Sequence, residues 1–354
     1  KRYAIGKIDE DVYCDAISDL ENDMREAKLE LELAKDIHII TSEPRLDTIA
    51  KDFVEHYSEL WTTGKAMFVC VNKVTCVRMY NLAQKYWAEK INELEKKIKI
   101  ENNIEKEIDN NRFFLEYQPV LDAKTKKIIG AEVLSRLNSE SEGVLTPGSF
   151  LSAVDSVGIN DKFDYYIFEK NCKWISNDKK QREQYKYTIN FSRSTLCEPQ
   201  FAEKIIAIAQ KYDLNFSCLA VEILEDKNIT FDARKQMIDN LSVLKAKGIS
   251  ILLDDFGSGY TTFGDLQNLD ISVVKIDKTI TQNSVTDTGF IILKNIIRTA
   301  GDIGFKTLCE GIETKEQEEA VIKAGCDLLQ GFYYYRPMPV AQLEKVFNEN
   351  SGGV

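Results

Sequence analysis

Histidine is nearly missing from this sequence, which has only His38 and His56 among its 354 residues. Its eight cysteines form no C-x-x-C pair. Protein zinc sites draw mainly on these two residue types, so a dedicated zinc site is not expected. A metal ion bound here would need oxygen ligands, and oxygen ligands favour hard cations such as Mg²⁺ or Mn²⁺.

Long apolar runs are also missing, because no stretch of about 18 apolar residues exists and no membrane span is therefore expected. Five aspartates and glutamates fall within the first twenty residues, which is the opposite of a signal peptide. The chain begins with Lys1 and not with Met, so we expect a piece of a longer product. A protein of this size does not need a disulfide scaffold, and we expect reduced thiols and a cytoplasmic location.

Basic residues are fewer than acidic residues. Lysine and arginine number 46 against 57 aspartates and glutamates, so the formal net charge is 46 − 57 = −11. With no long basic run, a nucleic-acid polymer is not an expected partner. The composition is that of a folded protein, and the length suits one large domain with an appendage, or two domains.

Residues 1–110 are predicted to be a mostly helical accessory or linker region. Over residues 1–36, apolar residues recur at spacings of four and three, which indicates an a/d seam of about three heptads. Such a helix would form a helical hairpin or short coiled coil, or else pack on its own domain. The seam residues are Tyr13, Ile17, Leu20, Met24, Ala27, Leu31 and Ala34.

The pattern changes over residues 44–90, where a helical stripe, a buried-strand run at residues 66–71 and the start of a second helix at Val77 predict one α-β-α unit. Residues 41–87 resemble the entry into the second RecA-like domain of the motor subunit of type I restriction enzymes. Gly64-Lys65 is followed by Ala66 and not by Ser or Thr, so there is no phosphate loop and no ATPase is inferred. Residues 82–110 are predicted to be a charged connector helix.

From residue 111 to 346, short apolar runs alternate with amphipathic helical stretches. Eight strand candidates with helices between most of them predict a mainly parallel α/β barrel or open sheet. About 235 residues is the usual length of an eight-stranded α/β barrel, and residues 347–354 are predicted to be a tail. The predicted strands are Phe113–Tyr117, Ile128–Leu134, Tyr187–Phe191, Leu219–Ile223, Ile249–Leu253, Ile271–Ile276, Phe305–Leu308 and Leu328–Gln330.

Polar side chains lie within or directly after seven of these runs. Such groups are costly in a buried strand unless they are paired or bind a metal. In a parallel barrel they would meet at the C-terminal mouth, where carboxylates would need cations to offset their repulsion. The candidate metal ligands are Glu132, Asn190, Glu222, Asp254, Asp255 and Glu310.

The chemistry of this set favours a phosphate substrate. Adjacent aspartates allow one carboxylate to bridge two ions, and two ions can hold the attacking and leaving oxygens of a phosphate displacement. Lys275 would orient water or neutralise a phosphate oxygen.

Plainer interpretations exist for several motifs. Asp254–Gly259 also fits a turn whose aspartate caps the next helix. Asp255-Phe256-Gly257 matches the kinase magnesium motif, but no H-R-D loop accompanies it, so a kinase is rejected. Thr262 breaks the dinucleotide fingerprint. Phe332 and the three tyrosines after it fit packing at the barrel rim, and a base-stacking role stays open.

Taken in order, these residues resemble the EAL domain family of cyclic-di-GMP phosphodiesterases over about 235 of the 354 residues. The resemblance implies a modified (β/α)8 barrel with one antiparallel strand, a homodimer, and hydrolysis of cyclic di-GMP to linear pGpG with two Mg²⁺ or Mn²⁺ ions. The matching segments are Tyr117-Gln118-Pro119, Glu132-Val133-Leu134 with Arg136, Asn190-Phe191-Ser192, Glu222-Ile223-Leu224-Glu225, Asp254 to Tyr260, Lys275-Ile276-Asp277, Glu310-Gly311-Ile312-Glu313, and Gln330-Gly331-Phe332 leading to Pro337.

The resemblance also implies a role for each matching position. It assigns metal binding to the six ligands named above, places the attacking water at Lys275, and uses Glu225 to anchor the loop after Asp255. It implies catalytic roles for Lys275, Glu310, Glu225 and Asp277. It implies substrate contacts for Gln118, Leu134, Arg136, Asp255, Glu313 and Gln330.

Several positions depart from the family pattern, but none removes a ligand. Val133 and Cys309 stand where alanine is usual, Leu224 where threonine is usual, and Leu137 where tryptophan is common. Two other functions stay open. One is a non-catalytic receptor for cyclic di-GMP, and the other is a magnesium-dependent barrel enzyme that acts on carbon acids with Lys275 as the base.

Overall fold

The structure is a computed structural model and describes residues 24, 25, 28, 39–59, 70, 72–140, 142–223, 230–257 and 270–351. The chain divides into two compact units, residues 1–99 and 100–354. Within the described ranges, no helix is long and apolar enough to cross a membrane. The predicted division near residue 110 stays a prediction. Most of the predicted helix over 1–36 and of the predicted strand over 66–71 lies outside the described residues.

The first unit contains helix α1 (Glu43–Glu59) and most of α2 (Lys73–Asp109). Asn72 Oδ1 accepts a hydrogen bond from the Thr75 N–H at 2.8 Å and caps the start of α2. The two helical segments predicted from residue 77 and from residue 82 are one continuous helix, because no glycine or proline interrupts residues 73–109. Leu46 and Ala50 of α1 pack against Met79 of α2.

The second unit is a closed barrel, which confirms the predicted fold class. Strands β2, β4, β5, β6, β7, β8 and β9 run parallel, and β1 closes the ring by pairing antiparallel with both β2 and β9. Two short strands that the sequence pattern did not predict, β3 and β10, extend the sheet beside β2 and β1. The strands are β1 (Phe113–Asp122), β2 (Ile128–Ser139), β3 (Gly143–Leu145), β4 (Lys186–Asn190), β5 (Leu219–Ile223), β6 (Ser250–Phe256), β7 (Val273–Ile276), β8 (Lys306–Cys309), β9 (Leu328–Leu329) and β10 (Met338–Pro339).

Helices lie between most of the parallel strands and cover the outside of the barrel with their apolar faces. Several begin with a side-chain cap: the hydroxyls of Thr230, Thr286 and Thr314 accept backbone N–H groups of α8, α10 and α11. The helices are α3 (Pro147–Val157), α4 (Asn160–Ser176), α5 (Lys179–Arg182), α6 (Arg193–Leu196), α7 (Phe201–Lys211), α8 (Phe231–Ala246), α9 (Lys278–Asn283), α10 (Asp287–Ile303), α11 (Lys315–Ala324) and α12 (Val340–Ser351), with a 3₁₀ turn at Phe216–Cys218.

The barrel interior has an apolar layer separate from the main core. Side chains from six strands can contact one another only inside the ring, and six such residues form one buried cluster. Because side chains alternate along a strand, the residue two positions further on points to the same side. The apolar layer consists of Val120, Ala220, Leu252, Val273, Leu308 and Leu328.

Strands β2 and β4 of the second unit approach each other closely, and a substitution at the point of contact tests whether they are paired as described. Gly130 of β2 pairs with Lys186 of β4, and a Cβ atom at Gly130 would lie 2.3 Å from the Lys186 carbonyl oxygen. We expect Gly130→Ala to lower the free energy of unfolding by about 1–3 kcal/mol, since a backbone atom must move. Urea unfolding followed by circular dichroism measures this.

The matched control is Gly301→Ala, because a Cβ atom at Gly301 of α10 would meet nothing within 4 Å. We expect this change to leave the protein as stable or to stabilise it by about 0.5–1 kcal/mol. Equal losses in the two variants would contradict the described pairing of β2 with β4.

Candidate active site

A polar layer lies directly above the apolar layer of the barrel, at the C-terminal ends of the parallel strands. Most of its residues lie two positions along the chain from an apolar residue of that layer, as Ala220 and Glu222 illustrate on β5. On β2 and β4, Glu132 follows Gly130 and Asn190 follows Thr188 instead. The antiparallel β1 reaches the same level in the reverse direction, so Gln118 precedes Val120. The other pairs are Leu252 with Asp254, Val273 with Lys275, Leu308 with Glu310, and Leu328 with Gln330.

Lys275 is the centre of this layer and is 2% exposed. Its ammonium nitrogen Nζ lies 2.6 Å from Glu310 Oε1, 3.0 Å from Asp254 Oδ1 and 3.7 Å from Glu132 Oε2. It also donates a hydrogen bond to Glu222 Oε1. Four carboxylates from four strands therefore surround one buried cation.

The Glu132 carboxylate is fixed by two side-chain amides. Asn190 Nδ2 donates to Glu132 Oε1 at 3.2 Å, and Gln330 Nε2 donates to Glu132 Oε2 at 2.8 Å. Gln330 Nε2 also lies 3.3 Å from Gln118 Oε1, and Gln118 Nε2 donates to the Tyr335 carbonyl at 3.1 Å. This network joins β1, β2, β4 and the loop after β9.

A second network holds the segment that carries Asn190. The buried Asp164 carboxylate of α4 accepts the Ser192 N–H at 2.8 Å and the Ser192 hydroxyl at 2.7 Å. Burial raises the pKa of Asp164 to about 6, although the hydrogen bonds from Ser192 oppose the shift. Asp164 therefore ties α4 to the loop two residues after Asn190.

The pKa values of the carboxylates in the polar layer are shifted because several of these groups are buried close to one another. Burial, reinforced by neighbouring carboxylates, raises the pKa of Glu222 well above its ordinary value and that of Glu310 to about 8. Burial also disfavours the charge on Lys275, but the carboxylates outweigh it and raise the pKa of Lys275. At Asp254, the Lys275 ammonium and hydrogen bonds outweigh burial and lower the pKa.

The donor set fits a divalent cation. Glu222, Asp254 and Glu310 each offer one oxygen, and these three atoms lie within 4.8 Å of one another. Glu222 Oε2 is buried without a hydrogen-bond partner among the described residues, and Asp254 Oδ1 has only the Lys275 ammonium at 3.0 Å beside it. Fully ionised, the four carboxylates and Lys275 sum to −4 + 1 = −3, a charge that a hard cation with oxygen ligands would neutralise.

An open cleft of about 320 Å³ lies above the polar layer. Its floor contains Asp254, Lys275 and Glu310, and the exposed Lys278 lies on its wall. The guanidinium of Arg336 lies 4.3 Å from the centre of the Phe332 ring, which also lines the cleft. The remaining lining residues are Gln118, Glu132, Leu134, Gly311, Glu313, Gln330 and Gly331.

Most residues expected to contact a metal or substrate are therefore brought together, and a few lie elsewhere. Asp277 is directed into α9, where its Oδ1 accepts the Thr279 N–H at 2.8 Å and caps the helix. Arg136 Nε pairs with Glu116 Oε2 at 2.8 Å and is not among the cleft residues. Asp255 has a positive φ of 54° and a pKa raised by burial and by Asp254. Glu225 lies outside the described residues. The functional roles of all four stay predictions.

Three cleft residues, Lys278, Gly311 and Gly331, were not predicted as site residues from the sequence. A Cβ atom at Gly311, which has φ 65°, would lie 2.4 Å from Lys278 Cβ, so glycine permits α9 to approach the residue after Glu310. The Lys275-Ile-Asp-Lys278 spacing, which puts a second lysine at the start of the helix after β7, was the available signal for Lys278. For Phe332, which also lines the cleft, the sequence favours packing at the barrel rim and leaves base stacking open.

Comparison with known proteins identifies relatives for the second unit. A family model described as the EAL domain matches residues 101–337. The chain is 26% identical over 249 residues to "Cyclic di-GMP phosphodiesterase PdeF" of Escherichia coli K12, covering 70% of this chain and 33% of that protein. It is 30% identical over 233 residues to "Cyclic di-GMP phosphodiesterase RocR" of Pseudomonas aeruginosa, covering 66% of this chain and 59% of that protein. It thus spans less than two thirds of either relative.

Solved structures agree with the fold. The structure "PaMucR Phosphodiesterase, c-di-GMP complex" is 26% identical with a TM-score of 0.64, and the match covers 69% of this chain and 99% of the other. An EAL domain protein from Listeria monocytogenes EGD-e is 27% identical with a TM-score of 0.62, covering 70% and 97%.

The central ion cluster gives a stability prediction. Lys275→Met removes the cation from beside four carboxylates, and we expect the free energy of unfolding in EDTA to fall by about 3–5 kcal/mol. Lys278→Met is the control, since an exposed lysine should change stability by less than about 0.5 kcal/mol. Similar urea midpoints for both variants would contradict the charge balance described for this layer.

Proposed function

The chain belongs to the EAL domain family, and on that premise we propose that it hydrolyses cyclic di-GMP to linear pGpG with the help of two divalent cations. The observation that carries the proposal is the arrangement of Glu132, Glu222, Asp254 and Glu310 around Lys275 at the floor of an open cleft. Curated relatives named as cyclic-di-GMP phosphodiesterases support it.

The polar layer would supply oxygen ligands to Mg²⁺ or Mn²⁺. Glu222, Asp254 and Glu310 would hold an ion together with Glu132 and Asn190, and Asp255 would contribute to a second ion. When bound, the cations supply positive charge that stabilises the phosphodiester oxygens and makes water a better nucleophile. Asn190 and Gln330 keep the Glu132 carboxylate in one orientation for this task.

Lys275 has two tasks in this proposal. Before ions bind, its ammonium group offsets the repulsion among the four carboxylates. During hydrolysis, it donates a hydrogen bond to the attacking water and orients it toward phosphorus. Lys275 suits this donor role because the surrounding carboxylates raise its pKa and keep it protonated.

The cleft walls provide contacts for a dinucleotide. A volume of about 320 Å³ falls within the usual range of small-molecule sites, about 300–1,000 Å³. Lys278 would pair with a phosphate oxygen, and the half-exposed Phe332 ring would stack on a base. Gln118, Leu134, Glu313 and Gln330 also face the cleft, which supports their predicted substrate contacts.

Other expectations also remain proposals. We propose a homodimer in the cytoplasm, with Glu225 anchoring the loop that follows Asp255. The seven cysteines among the described residues are free thiols, which agrees with a reducing compartment.

The test is chromatographic analysis of cyclic di-GMP incubated with the protein. We expect pGpG in Mn²⁺ or Mg²⁺ and none in EDTA. Glu132→Gln should lower the rate at least about 100-fold, because it weakens charge stabilisation at the reacting phosphate. The matched control Glu169→Gln, which alters a surface glutamate paired with Lys211, should leave the rate unchanged.

The same assay decides between catalysis and the alternative of a receptor. Tight binding of cyclic di-GMP without any pGpG in excess Mn²⁺ would favour the non-catalytic receptor. Undiminished turnover by Glu132→Gln would refute the assignment of the site.

A further inference from the structure

The part of α2 that belongs to the first unit carries an exposed apolar seam. Large side chains that usually avoid water are between 41% and 63% exposed at five positions along it. They recur at alternating spacings of three and four, which suits a coiled-coil seam, and their exposure shows that the described core of this unit does not cover them. The seam comprises Val77, Tyr80, Gln84, Trp87, Ile91, Leu94 and Ile98.

Helix α1 does not cover this seam. It packs on a different face of α2, through Met79, Leu82 and Tyr86. In the heptad register of the seam, Met79 and Tyr86 occupy c and Leu82 occupies f, and these positions face away from a and d. The contact with α1 therefore leaves the a and d positions available.

The residues of the seam specify a two-stranded parallel arrangement. The a positions are Val77, Gln84, Ile91 and Ile98, so three of four are β-branched, and the d positions are Tyr80, Trp87 and Leu94. β-branched residues at a favour parallel dimers where leucine occupies d, as Leu94 does in the last of these heptads, and a polar residue at one a position favours a single register. Gln84 supplies that polar residue.

Charge complementarity selects the same partner and orientation. Lys90 and Lys97 occupy g positions, and Glu95 occupies e. In a parallel dimer, g of one helix faces the following e of the other, which places Lys90 beside Glu95 of the second copy. An antiparallel pair would instead bring the g-position lysines of the two copies together. In the single chain Lys90 pairs with Glu93 at 3.1 Å, and in the dimer it would exchange this partner for Glu95 of the second copy.

We propose that residues 77–98 of α2 form a parallel, in-register coiled coil with a second copy of this chain. This interface belongs to the N-terminal unit and is separate from any contact between barrels. The proposal does not rest on the proposed function, because it involves no residue of the candidate active site. About three heptads are enough for association but near the lower limit, so the dimer should dissociate on dilution.

The test is disulfide crosslinking of the full chain. Leu94→Cys is made together with Cys76→Ser, because the native Cys76 is exposed and would add its own crosslinks. Facing d positions meet at the axis of a parallel coiled coil, so mild oxidation should give a covalent dimer on a non-reducing gel. Asn92→Cys in the same background is the control, since its b position faces outward, and it should give no more dimer than the background.

A second substitution shows whether the seam itself brings the copies together. Adding Ile91→Glu should abolish the Leu94→Cys crosslink, because it places two carboxylates at facing a positions. Adding Ile292→Glu, at an exposed isoleucine of α10, should leave the crosslink intact. Circular dichroism of each variant confirms that the helices are retained.

Three results would overturn the proposal. They are equal crosslinking of Leu94→Cys and Asn92→Cys, a crosslink that persists in Ile91→Glu, and a disulfide within a single chain. The last result, for example with Cys14, would mean that the N-terminal segment of the same chain covers the seam.

Discussion

The Lys275 ammonium group, buried among four carboxylates at the end of a closed barrel, is the interaction on which the rest of the site depends. Each carboxylate comes from a different strand, so the cluster exists only when the strands are paired in register. One lysine does not neutralise four carboxylates, and this remaining negative charge is the physical reason to expect divalent cations.

The alternation of side chains along each strand places the members of this cluster at one level inside the barrel. On most of the parallel strands, two successive inward positions hold first an apolar and then a polar side chain, which gives an apolar layer below and an acidic layer above. The apolar layer closes the barrel and limits the approach of water from that side, while the cleft opens the other side to a substrate. The antiparallel β1 also contributes a side chain, Gln118, to this polar layer. A strand that runs in the opposite direction can therefore still supply a residue to the floor of the cleft.

The strands were predictable from the sequence because their pattern is local, but that pattern alone suited a barrel or an open sheet, and the closed barrel was implied by the resemblance to the EAL domain family. Apolar runs marked all eight barrel strands, and the polar residues at their ends marked the members of the cluster. Properties that depend on distant parts of the chain were not predictable. Lys278 enters the cleft only because Gly311 allows α9 to approach, and β3 and β10 are too short to give a pattern. Asp277 illustrates a further difficulty, because an aspartate after a strand equally suits a catalytic site and a helix cap.

The most direct test of the central claim is to count bound Mn²⁺ by electron paramagnetic resonance, without substrate. The account predicts that the wild-type protein binds the ion and that Glu222→Gln, which keeps the shape of the side chain but removes its charge, weakens binding by at least about tenfold. Equal Mn²⁺ affinity in the two proteins, or no binding by the wild type, would contradict it.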